Sequence, residues 1–177
     1  MRAPTLTTDR LTLRPAQASD FSALSKIWAD PDVVAFLGKP RSQQDVWSAM
    51  ARSAGLWSLV GYGYWVLTER GNDHPLGEIG FADFKRGMTP DLSGRPEAGW
   101  VLAKSAWGKG YAGEAARAAH VWLDEAHPGR STCIISPENT ASIKLAKQLG
   151  YAVFAHSTLG DDAVLVLERN TPDARKR

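Results

Sequence analysis

Trp107-Gly108-Lys109-Gly110-Tyr111-Ala112-Gly113 decides how this chain is read. It is a glycine-rich turn that runs straight into a helical pattern: Ala112, Ala115, Ala116, Ala119, Trp122, Leu123 and Ala126 fall on one face at a 3.6-residue period. The first turn of a helix presents backbone N–H groups without partners and a partial positive charge. A turn with no side chains in the way lets a phosphate reach those groups. The alanine stripe demands a sheet to pack on, and its small side chains permit close approach. A second polar helix start follows at Pro137-Glu138-Asn139-Thr140-Ala141-Ser142.

Working outward from the turn, the segment before it, residues 97–103, is strand-like, and residues 131–136 after the alanine helix form a short buried-looking strand. A strand–helix–strand unit across 97–136 implies a parallel pair joined by a right-handed crossover. Upstream, Leu11-Thr12-Leu13-Arg14 alternates like a first strand and stops at Pro15. Ser19-Asp20 caps a helix carrying Phe21, Leu24, Ile27 and Trp28. Ser42 with Asp45 makes a capping-box start for a second helix, expected to end at Gly55. Strands are expected at 62–68 and 76–84, and residues 85–96, with two Gly and two Pro, read as an exposed loop. Downstream, 138–149 is a helix closed by Gly150, followed by strands at 151–156 and 163–168. The pattern is a mixed α/β fold in one domain over 1–170, with a polar tail over 171–177.

The totals narrow the class. The 177 residues suffice for one buried core, and 44% apolar with 23% charged content is ordinary for a soluble globular protein. A net charge of +2 gives no basic field for nucleic acid. No apolar run approaches a membrane span, no signal peptide fits the first residues, and the single Cys133 has no disulfide partner. The reading is a reduced, cytoplasmic protein with no metal site, since no Cys/His spacing suits zinc.

Gly108, Gly110 and Gly113 also spell G-x-G-x-x-G, the dinucleotide fingerprint. That motif expects an acidic residue closing the next strand, but 131–136 has none, and Asp124 and Glu125 lie inside the helix. The 64 residues after Gly113 are too few for the rest of a doubly wound domain. A P-loop is excluded because no Gly-Lys-Ser/Thr occurs. A tight turn without a ligand is the plain alternative.

The turn resembles the pyrophosphate loop of the GNAT N-acetyltransferases, Gln/Arg-x-x-Gly-x-Gly/Ala, except that Trp107 does not match the family's Gln/Arg. Trp followed by Gly-Lys-Gly-Tyr-Ala is similar to the RimJ/RimL-type branch, as are Thr8-Asp9-Arg10-Leu11-Thr12-Leu13-Arg14-Pro15 and Leu149-Gly150-Tyr151. The resemblance implies the fold of that family, with a twisted mixed sheet between helices, and the use of acetyl-CoA to acetylate a primary amine, on a protein N-terminus or a small molecule. It implies that backbone N–H groups of Gly108, Lys109, Gly110, Tyr111, Ala112 and Gly113 cradle the coenzyme diphosphate. It further implies that the strand before the loop splays from its parallel neighbour, freeing Trp100, Val101 and Leu102 for the pantetheine arm. Asn139 would bond pantetheine or the facing strand; local capping of its helix is the alternative. The expected partners are acetyl-CoA and an amine, without nucleic acid or membrane, and a homodimer is compatible. An acetyl-CoA sensor without turnover, or a dinucleotide protein on the same turn, are the competing readings.

Amide formation requires a neutral amine, a polarised thioester carbonyl and a proton for the leaving thiolate. Glu97 is the first candidate base: it opens the strand leading to the cofactor, where the resembled branch commonly carries Glu. A solvated acid beside Arg95 is its plain alternative. The family's usual tyrosine, seven residues beyond the Asn, falls here at Ala146, so Ser142 is the polar group expected near the sulfur, as in RimL-like proteins. His156 is a rival base. His120 reads as a satisfied histidine, and Cys133, without a helix terminus or neighbouring His, reads as buried filler. Trp57, Tyr62, Tyr64, Trp65, Phe81 and Phe84 are read mostly as core, with a share available to wall an acceptor cavity.

Overall fold

Leu11 and Leu13 are fully buried while Thr12 and Arg14 are partly exposed, the alternation of a strand with one face on the core. That strand is β2 (Leu11–Arg14) of a computed structural model that describes residues 3–171. A short β1 (Leu6–Thr7), with no marked sequence signal, pairs beside it. The remaining elements are α1 (Phe21–Ala29), α2 (Gln43–Leu59), β3 (Tyr64–Glu69), β4 (Pro75–Ala82), β5 (Glu97–Leu102), α3 (Tyr111–Ala126), β6 (Arg130–Ile135), α4 (Thr140–Gln148), β7 (Ala152–Leu159) and β8 (Asp162–Asn170). The strands form one sheet in the order β1-β2-β3-β4-β5-β6-β8-β7. Every pairing is antiparallel except β5 with β6, the pair bridged by α3. This is the mixed α/β sheet flanked by helices that the pattern implied.

Alternation sorts the residues of the central strands into two cores. Trp65, Leu67, Ile79, Phe81, Ala98 and Leu102 pack with the alanine stripe of α3 and with Leu145 and Ala146 of α4. Val66 and Val101 point the other way, into a smaller core with Leu24, Ile27 and Trp28 of α1 and Val46 and Met50 of α2. Ala115, Ala116 and Ala119 have no solvent exposure, and their small side chains bring the helix backbone down onto the sheet.

Most strand ends shift from expectation by one to three residues, as with β7, which runs to Leu159 rather than 156, and two boundaries differ for reasons visible in the packing. Helix α2 starts as read, with Ser42 Oγ accepting from the Asp45 N–H at 3.1 Å, but continues through Gly55 to Leu59. A mid-helix glycine costs about 1 kcal/mol. Burying Trp57, two residues on, returns roughly twice that or more, so the helix continues. At the other end, Asn170 closes β8 opposite Arg130, and Thr171, expected in the tail, is tied to Gly129 by backbone and hydroxyl hydrogen bonds. The rest of the expected tail, 172–177, lies outside the described residues. The 85–96 segment is not uniformly exposed: Leu92 and Pro96 are buried.

Candidate active site

The parallel pair carries the feature on which the site is built. β5 and β6 are in register at one position, Glu97 with Thr132, sealed by the Thr132 N–H donating to the Pro96 carbonyl at 2.9 Å. Beyond it β6 runs off with β8, while β5 stays on β4 as far as Leu102. Past this pair the β6-facing backbone groups of Trp100 meet an opening; the expected Leu102 carbonyl is taken by Trp107 Nε1 at 2.9 Å, and Val101, one residue off in the alternation, turns its backbone groups to β4. Unpaired strand groups are costly when dry and available when a ligand brings amides of its own.

At the wide end of this split lies the glycine turn. Gly108 and Gly110 have φ of 72° and 76°, a left-handed conformation that side-chain-bearing residues rarely adopt. A Cβ at Gly108 would meet nothing within 4 Å, so its surroundings are open. The N–H groups of Tyr111, Ala112 and Gly113 open α3 behind them. The turn is held from outside. Arg10 Nη1 donates to the Lys109 carbonyl at 3.0 Å, and Glu114, in the first turn of α3, accepts from Thr8 Oγ1 at 2.6 Å, the Arg10 N–H at 3.0 Å and Arg10 Nε at 2.7 Å. Burial alone would raise the Glu114 pKa, but the hydrogen bonds from Thr8 and Arg10 and the guanidinium charge leave it below its ordinary value.

A cavity of about 480 Å³ joins the turn to the split. Of the expected cofactor residues, Trp100, Val101, Leu102, Gly108, Gly110, Tyr111, Ala112, Asn139 and Ser142 line it, whereas Lys109 and Gly113 do not. The Lys109 ammonium instead sits 5.6 Å from the Tyr111 ring centre. Tyr111 contributes its ring and backbone, since its hydroxyl is spent on Glu69 at 2.8 Å. The far wall, Asp32, Val33, Phe36 and Leu37 from the connection between α1 and α2, had no motif to announce it.

Across the split, Trp100 Nε1 donates to Ser142 Oγ at 3.2 Å, which sets the serine hydroxyl at the cavity wall. Asn139 N-caps α4, its Oδ1 accepting from the Ser142 N–H at 3.0 Å. Capping uses only the carbonyl oxygen and leaves the amide N–H groups for another partner. Ala146 is completely buried in the main core, so the site has no α4 tyrosine.

Glu97 is not a solvated acid beside Arg95. It is 6% exposed, and Arg86 grips it with two nitrogens, Nε to Oε2 at 2.9 Å and Nη2 to Oε1 at 2.6 Å. Arg95 pairs with Glu168 at 2.9 Å instead. Glu97 stands at the closed end of the split and is not part of the cavity wall.

His120 is a buried, fully bonded histidine. Its Nδ1 lies 2.7 Å from the Ala116 carbonyl, which only accepts, so Nδ1 carries the proton. Nε2 then accepts from the Tyr151 hydroxyl at 2.9 Å, which accepts from Ser131 Oγ at 2.9 Å. Burial pushes its pKa down to about 4. His156 lies exposed on the edge strand β7. Cys133 is buried in the main core, where desolvation and the charge of Glu97 push its pKa up, away from nucleophile chemistry. Trp57, Trp65 and Trp122 stack edge to face with centroids 4.8–5.2 Å apart, and Tyr62 and Phe81 join the same core. Tyr64 is not among those core residues. Its hydroxyl lies over Gly99, and Phe84 packs under Arg86. No cluster of metal-ligating side chains occurs among the described residues.

Comparison with known proteins fits this geometry. Residues 10–152 match the family model described as the acetyltransferase (GNAT) domain. The chain belongs to the GNAT acetyltransferase family. It is 31% identical over 150 residues to an uncharacterised N-acetyltransferase, p20, of Bacillus licheniformis, covering 83% of this chain and 82% of that protein. An acetyltransferase from Agrobacterium tumefaciens superposes with a TM-score of 0.82 at 28% identity, covering 96% of each chain. RimL, a ribosomal L7/L12 α-N-protein acetyltransferase solved in complex with coenzyme A, shares the fold at a TM-score of 0.75 and 17% identity, over 94% of this chain and 98% of that one.

Proposed function

We propose that this protein transfers an acetyl group from acetyl-CoA to a primary amine by direct attack in a ternary complex. The observation that carries the reading is the split after the Glu97–Thr132 pair, which leaves the β5 edge at Trp100 open along one cavity with the glycine turn. A pantetheine arm carries two amides, which suit a strand edge lacking its neighbour, and a diphosphate suits the first turn of α3. The RimL complex with coenzyme A, a protein of the same fold, supports the choice of cosubstrate.

In this reading Gly108 to Gly113 bind the diphosphate through backbone N–H groups, Asn139 and the β5 edge bind the arm, and Ser142 faces the sulfur. Glu97 takes the proton of the incoming ammonium through water. The amine nitrogen then attacks the thioester carbonyl, the C–N bond forms, the nitrogen releases its second proton to water, and sulfur leaves with the electron pair of the C–S bond and is protonated to the thiol. RimL is an α-N-protein acetyltransferase of ribosomal L7/L12, which makes a protein α-amine one acceptor class to try. Small-molecule amines are the other.

The test is thiol release from acetyl-CoA by the purified protein with a panel of peptides of differing N-terminal residue, amino acids and polyamines. Amine-dependent thiol release with a matching acetylated product supports the reading. Tight acetyl-CoA binding with no turnover on any amine would favour a sensor instead.

A further inference from the structure

Trp100 offers the groove its backbone, yet its side chain makes a contact of its own. The indole stands on the cavity wall, reaches from β5 to α4 and donates Nε1–H to Ser142 Oγ at 3.2 Å. An indole N–H only donates, so the serine oxygen is the acceptor and its own proton points elsewhere. Among the described residues the indole is the one hydrogen-bond partner of Oγ, and the serine O–H has no acceptor. The Ser142 backbone is fixed separately, its N–H donating to Asn139 Oδ1 at 3.0 Å. Both Trp100 and Ser142 line the cavity, and the cavity is the direction left open to the hydroxyl proton.

A hydroxyl in this state is a donor. One lone pair is taken by the indole, and no base touches the O–H to turn the oxygen into a nucleophile. Donation into Oγ polarises the O–H and strengthens the bond it gives in turn. The position adds to this effect. Ser142 lies in the first turn of the nine-residue α4, the end of a helix that carries partial positive charge. Hydroxyl proton and helix end both favour a negatively charged atom at this point of the cavity.

We propose that the Trp100 indole is a positioning group for the leaving sulfur: by donating into Ser142 Oγ it turns the serine O–H towards the sulfur of coenzyme A. The inference rests on the acetyl-CoA reading of the groove, with Ser142 facing the sulfur. When the C–S bond breaks, its electron pair stays on sulfur, and the hydrogen bond from Ser142 strengthens as that charge grows. The serine keeps its proton, because an alkoxide is a far stronger base than a thiolate, and water protonates the sulfur. Without the indole the hydroxyl is free to rotate onto a carbonyl of the preceding turn, as serines in helices do, and the sulfur loses its donor.

The test compares the Kd of coenzyme A with that of desulfo-coenzyme A, which lacks only the thiol, by calorimetry at about pH 7 and about pH 9.5, either side of an ordinary thiol pKa. Asp32 and Tyr111 are the ionisable side chains on the cavity wall, and the desulfo analogue cancels their titration. A donor aimed at sulfur favours the thiolate, so coenzyme A should gain about fivefold over the analogue between the two pH values in wild type. Trp100→Phe, which keeps the backbone and an aromatic ring, should cut that gain to about twofold or less, as should Ser142→Ala, while both bind the desulfo analogue like wild type. With an amine that turns over, each variant should lower kcat about tenfold at unchanged KM for acetyl-CoA, and the double variant should lose no more than either single one. A gain kept in Trp100→Phe overturns the role of Trp100 and leaves the acetyl-CoA reading standing. No gain in wild type overturns the serine–sulfur contact as well. Failure of wild type to bind either compound overturns the acetyl-CoA reading with it.

Discussion

Arg10 and Glu114, 104 residues apart, are joined by Nε to Oε2 at 2.7 Å and by the Arg10 N–H to Oε1 at 3.0 Å. The same guanidinium reaches the Lys109 carbonyl, so the turn between β1 and β2 fixes both the glycine loop and the first turn of α3. A loop that presents backbone N–H groups binds well only if its geometry is set beforehand. The Thr8-Asp9-Arg10 opening therefore sets the glycine-turn end of the groove from outside the cavity wall.

Glu114→Ala should weaken acetyl-CoA binding about tenfold, measured by calorimetry, with the overall fold kept. The folded pKa of Glu114 lies below its unfolded value, so its stabilising contribution is complete above about pH 4.3 and is lost as pH falls through the folded value. Glu114→Ala should accordingly flatten the acid limb of the melting-temperature profile. Wild-type affinity in the variant would mean that the loop holds its shape unaided.

Gly110→Val should abolish measurable CoA binding, because the left-handed φ of 76° excludes a branched residue and the added methyls would crowd the phosphate position. Lys109→Ala should cost less than about threefold, since the lysine lies off the cavity over Tyr111. Equal losses, read by the same titration, would indicate charge steering rather than backbone recognition.

Much of this was legible because it follows from local pattern. The alanine stripe of α3, the Ser42 cap and the short strand at Ser131 each have periods or residue types that specify one local structure, and the β5–α3–β6 crossover follows from their order. The family's splayed strand came with the resemblance, and the register places it. What sequence leaves open depends on register and on long-range partners. Arg86 and Arg95 occupy one loop, and nothing local says which of them turns to Glu97. The contact of Trp100 with Ser142, 42 residues on, exists only once α4 lies across the split from β5. Gly55 looks like a helix end until the burial of Trp57 is counted.

Glu97→Gln should lower turnover about 10²–10⁴-fold at near-neutral pH and leave acetyl-CoA affinity close to wild type. At high pH, where the amine is already neutral, the variant should recover part of its rate, because a free amine needs no base. His156→Ala, on the exposed edge strand, should turn over like wild type. The opposite pair of results, in steady-state kinetics with the same amine, would transfer the base role to His156.

His120 should govern stability rather than chemistry. Its folded pKa of about 4 lies below the usual histidine value of about 6.5, so the unfolded chain binds the extra proton in that window. Stability is complete above about pH 6.5 and falls by roughly 3 kcal/mol as pH drops to 4. His120→Gln should remove that slope in denaturant titrations and destabilise at pH 7 by about 1–3 kcal/mol, as Tyr151 and Ser131 lose their terminal acceptor. A loss of turnover without a loss of stability would contradict this role.

The central claim, that the glycine turn and the β5 split together form an acetyl-CoA site, is tested most directly by melting temperature with acetyl-CoA and, separately, with NADH. A ligand at a hundredfold excess over its Kd contributes about 2.7 kcal/mol, several degrees for a domain of this size. The account predicts a rise of that order with acetyl-CoA and none with NADH, which finds no acidic ribose partner after α3. A rise with NADH and none with acetyl-CoA would contradict it.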